Sequence, residues 1–536
     1  MCYTAYIQKI IALFAINTIA FTSTWHTRNI LEEVIVATTN SAETGFEKQI
    51  WDAACILRGN MDAAEYKHVI LGLIFLKYIS DRFEFRYNQL VKDKNGDEED
   101  RDEYTSQNVF YVPPSARWES ITAQAHMPEI GKIIDNAMDS IERENKSLKG
   151  VLPKTFARPE LDKRRLGEVV DLFTNITIAE TGGKMDMLGR TYEYCLGRFA
   201  EQEGKLAGEF YTPASVVRTL VAVIKPFDGR VYDPCCGSGG MFVQSAEFVK
   251  AHAGNIRNLS VYGQDSNPTT WKLCRMNLAI HGIDADLGEA AADTFFNDRH
   301  PTMKADYILA NPPFNLSGWG ADKLADDQRW KYGQPPAGNA NFAWMQHMIF
   351  HTSAKGRIGM VLANGSLASQ NGGEGAIRKA IVEDDLVEGI IAMPPQLFYT
   401  TQIPVSLWFL DRAKKQPGKM LFIDARHMGT MVSRRLREMT KEDISKISDT
   451  FEAFENGTLE DEAGFCAAVP VEEISKQDYI LTPGRYVGLA AEEDDCEPFE
   501  EKMDRLTSEL SEMFKRSHEL EEEIRKRLGA IGYDIK

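Results

Sequence analysis

Two short segments hold the residues whose types and spacing can do chemistry, and each follows a run of apolar and β-branched residues. One is DPCCGSGGMF (233–242). The other is Asn311-Pro312-Pro313-Phe314, which ends the run ADYILANPPF. Two consecutive prolines fix the backbone directly after the run and bar a helix from starting through them. The Asn311 side chain and the Pro312 carbonyl are therefore expected to project together. An exocyclic amine on an aromatic ring is a poor nucleophile, because its lone pair is delocalised into the ring. When two oxygens accept its two N–H bonds, the nitrogen becomes more pyramidal and the lone pair is free to attack an activated methyl group in line. Positive charge then develops against two fixed dipoles, so no strong base has to act first, and holding the two reactants in line supplies more of the rate. Phe314 offers a face on which a base drawn out of a duplex can stack. An Asn-Pro turn is also a common loop device; the strand before it and the glycine loop upstream favour chemistry.

The glycine loop restricts the ligand. Gly237, Gly239 and Gly240 let the backbone come close to a bound molecule where a Cβ would intrude. A pyrophosphate fingerprint needs glycine at position 242, where Phe242 stands, and GxxxxGK[ST] does not occur. A nucleoside without a phosphate chain remains, and S-adenosylmethionine fits. Asp233 can pair with its ammonium group. Asp265, ending the next predicted strand, is placed to accept both ribose hydroxyls, as acids at that position do in related sheets. Asp293, in AADTFF, is a candidate for reading the adenine amino group. A glycine-rich turn by itself also serves as a simple tight turn; the acid ending the following strand strengthens the reading as a ligand site.

The elements that must position these residues alternate in type. Predicted strands RVYD (230–233), SVYGQD (260–265), ADYILAN (305–311), RIGMVLAN (357–364), EGIIAMP (388–394) and SLWFLD (406–411) are separated by helical stretches. That pattern predicts a largely parallel sheet with helices on both faces. The fold class is α/β: a Rossmann-like domain at 201–428, preceded by a helical domain at 45–200. A mixed segment (429–490) and a C-terminal helical tail (491–536) follow. In the helical domain, apolar residues recur at helical spacing from Glu47 to Phe83, with Asn60 a candidate cap and Asp62 supporting the helix start. Its simplest role is scaffold. The charge run Lys92–Glu103 reads as a solvated loop. In the tail, Leu506, Leu510, Met513, Leu520 and Ile524 make a coiled-coil-like seam interrupted by Ser517. It is either a partner-docking surface or an ordinary solvent-facing coil.

Bulk properties set further bounds. The 536 residues carry a formal net charge of −18, with 43% hydrophobic and 26% charged residues, enough for several domains. An acidic chain is a poor independent binder of nucleic acid, since phosphate contacts supply much of that affinity; if duplex DNA is the substrate, a partner is expected to hold it. No large insertion follows the predicted sheet to read a sequence. The eight cysteines form no CxxC pair, so structural zinc and a disulfide framework are not expected, no metal is assigned, and a reducing cytoplasm is the expected compartment. The apolar stretch Ile10–Thr22 is short for a bilayer span and lacks a clear cleavage site. Residues 1–44 are read as an extension ahead of the first domain, without a membrane role.

At this point the residues resemble a known family. DPCCGSGG followed by NPPF resembles the amino-methyltransferases, and EFYTP (209–213) ahead of the glycine loop resembles the gamma motif order of DNA adenine methyltransferases. The closer resemblance is to the modification subunit of type I restriction–modification systems. It is carried by DMLGRTYEYCLGRFA (186–200), GEFYTPASVV (208–217), GNANFAWMQHM (338–348), MPPQLFYTTQIPVSLWFL (393–410), LFIDAR (421–426) and LTPGRYV (481–487). It covers residues 45–536. The resemblance implies cofactor contacts from Gly208, Glu209, Phe210, Tyr211, Thr212, Pro213, Ser238, Gly239, Gly240 and Asp265, and catalysis by Asn311, Pro312, Pro313 and Phe314. It also implies partners: two such subunits with one specificity subunit, and a restriction subunit for cleavage. Rival readings are a methyltransferase acting on RNA or on a protein amide, whose nitrogen poses the same electronic problem, and a catalytically silent assembly subunit. Nuclease or ATPase activity has no supporting motif.

Overall fold

The computed structural model describes residues 51, 55, 57 and 63–530, apart from 94–95, 175–184, 204–210, 253, 399–402, 435 and 490–498, with backbone alone at 63–65, 185–190, 203, 499–502 and 528–530. Residues 1–44, the capping candidates Asn60 and Asp62, and Gly208, Glu209 and Phe210 lie outside the described residues. The described residues up to Val487 form one compact unit and those from Gly488 onwards a second.

Within the first unit, helix α1 (Ala63–Lys92) is its longest described element. Tyr66, Val69, Ile70, Leu73 and Phe75 on it are fully buried. Shorter helices at Trp118–Thr122 and Lys163–Thr174 pack against it, and Ile130–Glu144 packs against those two. Polar ties fix their connections: the Trp118 N–H donates to Ser80 Oγ at 2.8 Å, and Asn145 exchanges two bonds with the Tyr111 backbone at 3.0 and 2.9 Å. Of the predicted charge run, Lys92 ends α1, Asp102 and Glu103 open a short helical turn (Asp102–Thr105), and the other described residues are loop.

Helix α2 (Met185–Glu203) leads to α3 (Ala214–Ile224) and then to a nine-stranded sheet. Its strands are β1 (Gly229–Asp233), β2 (Leu259–Gly263), β3 (Ala285–Asp286), β4 (Ala305–Ala310), β5 (Thr352–Ala363), β6 (Val387–Ala392), β7 (Val405–Asp411), β8 (Lys419–Asp424) and β11 (Cys466–Pro470). Strands β9 (Thr430–Met431) and β10 (Arg437–Glu438) form a separate two-stranded ribbon. The sheet order is β11-β8-β6-β7-β5-β4-β1-β2-β3. Strands β1 to β5 run parallel where they pair, whereas β7 lies antiparallel between β5 and β6 and β11 antiparallel to β8. The sheet is thus mixed where the alternation predicted a largely parallel one. Strands β6 and β7 are wholly buried, and β5 is buried from Ile358 to Ala363, whatever their direction, and burial alone carries no sign of strand polarity.

Helices α4 (Gly240–Ala251), α5 (Pro268–His281), α6 (Asn341–His351) and α7 (Lys441–Glu455) cover the sheet. The helical layer rests on α5: Tyr78 donates to the Ile280 carbonyl at 2.6 Å and Arg275 to the Ser147 carbonyl at 2.6 Å. In the second unit, α8 (Phe499–Ala530) carries the expected stripe, with Leu506, Leu510, Met513, Leu520 and Ile524 all more than 40% exposed. No described helix is long and apolar enough to cross a membrane.

Candidate functional site

Strand β1 pairs with β2 on one side and with β4 on the other. The chain therefore leaves β1 and β4 at neighbouring carboxyl ends, the switch point at which open α/β sheets form a crevice. Asp233 closes β1 and Asn311 directly follows β4. A cleft there is lined by Tyr211, Thr212, Asp233, Cys235, Cys236, Gly237, Ser238, Gly240, Met241 and Asn311. Residues 78 positions apart in sequence, Asp233 and Asn311, thus face one cleft.

Asn311 is held at one end of its side-chain amide and open at the other. Its Nδ2 donates to Thr212 Oγ1 at 3.0 Å, which fixes the amide plane. Its Oδ1 is buried and has no hydrogen-bond partner. A buried acceptor left unpaired is destabilising by about 1–3 kcal/mol, so it marks a place where a donor belongs. The backbone N–H of Asn311 faces the Cys235 sulfur. Pro312 is buried and Pro313 half-buried. Phe314 is half-buried beside the cleft, packed edge-on against Phe398 with ring centroids 5.7 Å apart. The turn continues through Asn315, in the left-handed region at φ 52°. Asn341, the first residue of α6, secures it: its Oδ1 accepts from the Asn315 N–H at 3.1 Å and its Nδ2 donates to Asn315 Oδ1 at 2.9 Å.

On the opposite wall, the three glycines divide their work. Gly237 and Gly240 line the cleft, and a Cβ on Gly240 would point into open space. Gly239 instead caps α4 at φ 83°, and a Cβ there would lie 3.0 Å from Cys274 Sγ on α5. It is needed for conformation and helix packing. Ser238 and Asp233 are buried in the same wall. Burial pushes the Asp233 carboxyl up to about 7, against the lowering effect of the Cys235 N–H and S–H that it accepts; the charge of Asp265 adds to the rise.

Asp265 lies two residues beyond the end of β2 rather than on it. Its Oδ2 accepts from the Gly237 N–H at 3.1 Å and its Oδ1 from Asn267 N–H at 2.8 Å, so it braces the glycine loop. Its main-chain carbonyl accepts from Ala292 at 2.9 Å, bringing the AADTFF loop alongside. Asp293 is exposed there and accepts from the Phe295 and Phe296 N–H groups; Thr294 donates to the Pro234 carbonyl at 2.5 Å. Pro213 is buried at the start of α3 rather than in the cleft.

Sequence reading missed the buried network behind this wall. Arg329 donates to the Thr294 and Phe295 carbonyls at 3.1 and 2.6 Å, to Asp327, and to His347 Nδ1 at 3.1 Å. His347 Nε2 meets the Tyr232 hydroxyl at 3.1 Å, and His351 meets Asp298 at 2.9 Å. Burial pushes Asp298 up, yet His351 and His347 outweigh it and bring the carboxyl down to about 2. Asp298, His347 and His351 bring three ligand-type atoms within 4.8 Å of one another. The nitrogens of both histidines already have partners and a guanidinium abuts His347, so the trio forms part of a hydrogen-bonded buried network. Its histidines stand at helical spacing within and just after GNANFAWMQHM, a signal that a lone sequence cannot separate from core packing.

Comparison with known proteins gives the chain's family. Residues 183–495 match the family model "N-6 DNA Methylase", and residues 46–173 match "HsdM N-terminal domain". The chain is 49% identical over 444 residues to a type I restriction enzyme methylase subunit of Haemophilus influenzae, covering 79% of this chain and all of that one. A corresponding subunit of Methanocaldococcus jannaschii is 41% identical, over 91% of this chain and 92% of that one. Among solved structures, a type I restriction–modification system methyltransferase subunit from Streptococcus thermophilus superposes with a TM-score of 0.71 at 26% identity, covering 82% of this chain and 98% of that one. The chain belongs to the methylase (modification) subunits of type I restriction enzymes and is an N6-adenine DNA methyltransferase of that family.

Proposed function

We propose that this chain methylates the N6 amino group of adenine in duplex DNA, using S-adenosylmethionine, at sequences chosen by a separate specificity subunit. The observation that carries the reading is Asn311 Oδ1, a buried acceptor with no partner, fixed by Thr212 at the edge of the glycine-lined cleft. The residues fit the cofactor. Asp233 is a buried carboxyl lining the cleft for an ammonium, Gly240 leaves room for close approach, and Asp265 and Asp293 sit on adjoining loops for ribose and adenine. Tyr211, Thr212, Ser238 and Gly237 complete the wall, with Gly208, Glu209, Phe210, Pro213 and Gly239 assigned to the same binding region. When bound, S-adenosylmethionine supplies a methyl group on a sulfonium centre. The chain's own part is to accept the two amine hydrogens on Asn311 Oδ1 and the Pro312 carbonyl. Pro313 holds that turn, and Phe314 stacks the extruded base.

The motif order from residue 208 through the glycine loop to Asn311 is the gamma arrangement. We assign 45–200 to the helical domain, 201–428 to the methyltransferase domain, and 429–490 to a mixed segment. Residues 491–536 are the partner-docking tail, supported by the exposed apolar stripe on α8. The assembly is two such chains with one specificity subunit, joined by a restriction subunit for cleavage. Cys235, Cys236, Cys274 and Cys466 are free thiols, which supports the cytoplasm as the compartment.

Methyl transfer from labelled cofactor to duplex DNA, with and without the specificity subunit, tests this function. Label entering DNA only with the partner present is expected; label on RNA or protein alone overturns it. Phe314→Ala is expected to weaken capture of the extruded base by about 1–3 kcal/mol, seen as a weaker DNA Kd and a slower single-turnover rate. Unchanged values for both remove the stacking role.

Asp233 sets a pH dependence. With its carboxyl pushed up to about 7, the group is mostly protonated and neutral at pH 6, and binding an ammonium must release that proton. Affinity for S-adenosylmethionine is therefore expected to rise about ten-fold per unit from pH 5 towards 7. It then levels off, and declines above about 8 as the ligand's own amine (ordinarily about 7.7–8.0) deprotonates. Calorimetric titration across this range checks it; Asp233→Asn should bind weakly with a flat acid limb. A flat profile in the unaltered protein defeats the assignment.

A further inference from the structure

Helix α2 carries a glycine in its interior, where glycine weakens a helix relative to alanine. Gly197 stands within the 19 residues of Met185–Glu203, and its packing supplies a reason. It is buried, and a Cβ built on it would lie 3.1 Å from the Tyr211 hydroxyl, 3.4 Å from Tyr211 Cζ and 3.9 Å from Cε1. The same Tyr211 lines the cleft beside Thr212 and Asn311. Its tip therefore rests against bare helix backbone while the residue forms part of the cleft wall. Helix α2 is pinned from its other side. Phe199, about 200° round the helix from Gly197, packs edge-on against Trp51 and Tyr66, with ring centroids 5.0 and 5.2 Å apart. The Tyr66 hydroxyl also donates to Gln202 Oε1, and Tyr192, Leu196 and Ala200 are buried. Tyr211, by contrast, is only half-buried. A side chain added at position 197 would thus displace Tyr211 towards the cleft more readily than it would push α2 back into the helical layer.

We infer that Gly197 is a positioning residue for S-adenosylmethionine: the absence of a side chain there sets how far Tyr211 reaches into the cleft. A Cβ 3.1 Å from the hydroxyl is tighter than ordinary contact, so the tyrosine would have to give by a few tenths of an ångström. Close-packed walls pass such a shift on rather than absorb it, and on this side the free direction is the cleft. Helix α2 is then a spacer, with Phe199 facing the helical layer and Gly197 facing the cofactor wall. The inference rests on the proposed place of Tyr211 in that wall, and the test keeps the two apart.

The test uses the full chain assembled with its specificity subunit. Calorimetry reads S-adenosylmethionine affinity, thermal melting reads the fold, and methyl transfer to duplex DNA is followed over a range of cofactor concentrations. Gly197→Ala is expected to melt no lower than the unaltered protein, since alanine favours the helix, yet to bind the cofactor roughly five-fold more weakly. KM for the cofactor should rise to match, with kcat held to within about two-fold. Tyr211→Phe removes the closest atom and leaves Cζ nearest, at 3.4 Å. It carries a loss of its own, but adding Gly197→Ala to it should cost no further affinity; that non-additivity is the mark of a direct contact. If Gly197→Ala binds the cofactor as the unaltered chain does, the inference is wrong. If it costs the same affinity in both backgrounds, or lowers melting in a way that Tyr211→Phe does not restore, the glycine serves only the packing of α2 and the inference falls. An unaltered complex that binds no S-adenosylmethionine overturns the proposed function itself.

Discussion

Replacing Asn311 by alanine is expected to slow methyl transfer by at least about 100-fold, near 3 kcal/mol of transition-state stabilisation, while the fold and the cofactor affinity stay close to normal. The reason is geometric. Asn311 makes a single side-chain hydrogen bond, from Nδ2 to Thr212, and its Oδ1 is buried without a partner. Truncation therefore removes an acceptor that the resting fold does not use, and relieves an unpaired buried group rather than creating one. Stability should change by less than that of an ordinary buried amide deletion. Thr212→Val keeps the acceptor but frees the amide plane, and should show a smaller loss in the same direction. Single-turnover methylation with saturating cofactor and DNA reads the chemical step; calorimetry and thermal melting read the rest. Near-normal turnover in Asn311→Ala sinks the acceptor mechanism, and a collapse of folding would mean that the residue is structural.

The site was legible in the sequence wherever chemistry and backbone geometry coincide. The strand-ending Asn-Pro-Pro-Phe fixes its own exit direction through the two prolines, and Phe242 in the glycine loop argued against pyrophosphate. Both features are local, so a single sequence exposes them. Asp265 was legible as an acid following the second strand, but its bracing of Gly237 needed the loop's three-dimensional return. Asn341 and Arg329 were not legible as site-supporting residues. Each acts on backbone atoms tens of residues away, and their one-letter surroundings look like any helix start or polar loop. The same holds for the fold. Alternating runs exposed six of the nine strands of the main sheet, with ends displaced by a few residues. The antiparallel placement of β7, the two-residue β3 and the outer β8 and β11 depend on pairing partners and not on periodicity.

Arg329 is the residue behind the site whose loss should be felt most by the fold. Its side chain is 7% exposed, and its nitrogens meet the Asp327 carboxylate, the Thr294 and Phe295 carbonyls and His347 Nδ1. Burial raises the Asp327 carboxyl, but the hydrogen bonds and charge of Arg329 bring it below the ordinary range. Removing the guanidinium leaves a half-buried carboxylate, two carbonyls and an imidazole nitrogen without it, a situation that costs about 3–5 kcal/mol for a broken buried pair. Arg329→Ala is thus expected to lose roughly that much stability in denaturant titration. The same bonds hold the Asp293–Phe295 segment against the Pro234 carbonyl that leads into the glycine loop. S-adenosylmethionine should accordingly bind at least several-fold more weakly, while the single-turnover rate at saturating cofactor falls less. Arg329→Lys, which keeps a charge but not the planar fork of donors, should lie between. Stability unchanged within about 1 kcal/mol would show that the ion pair is idle. Lowered stability with untouched cofactor affinity would show that Arg329 supports the core alone and does not hold the loop.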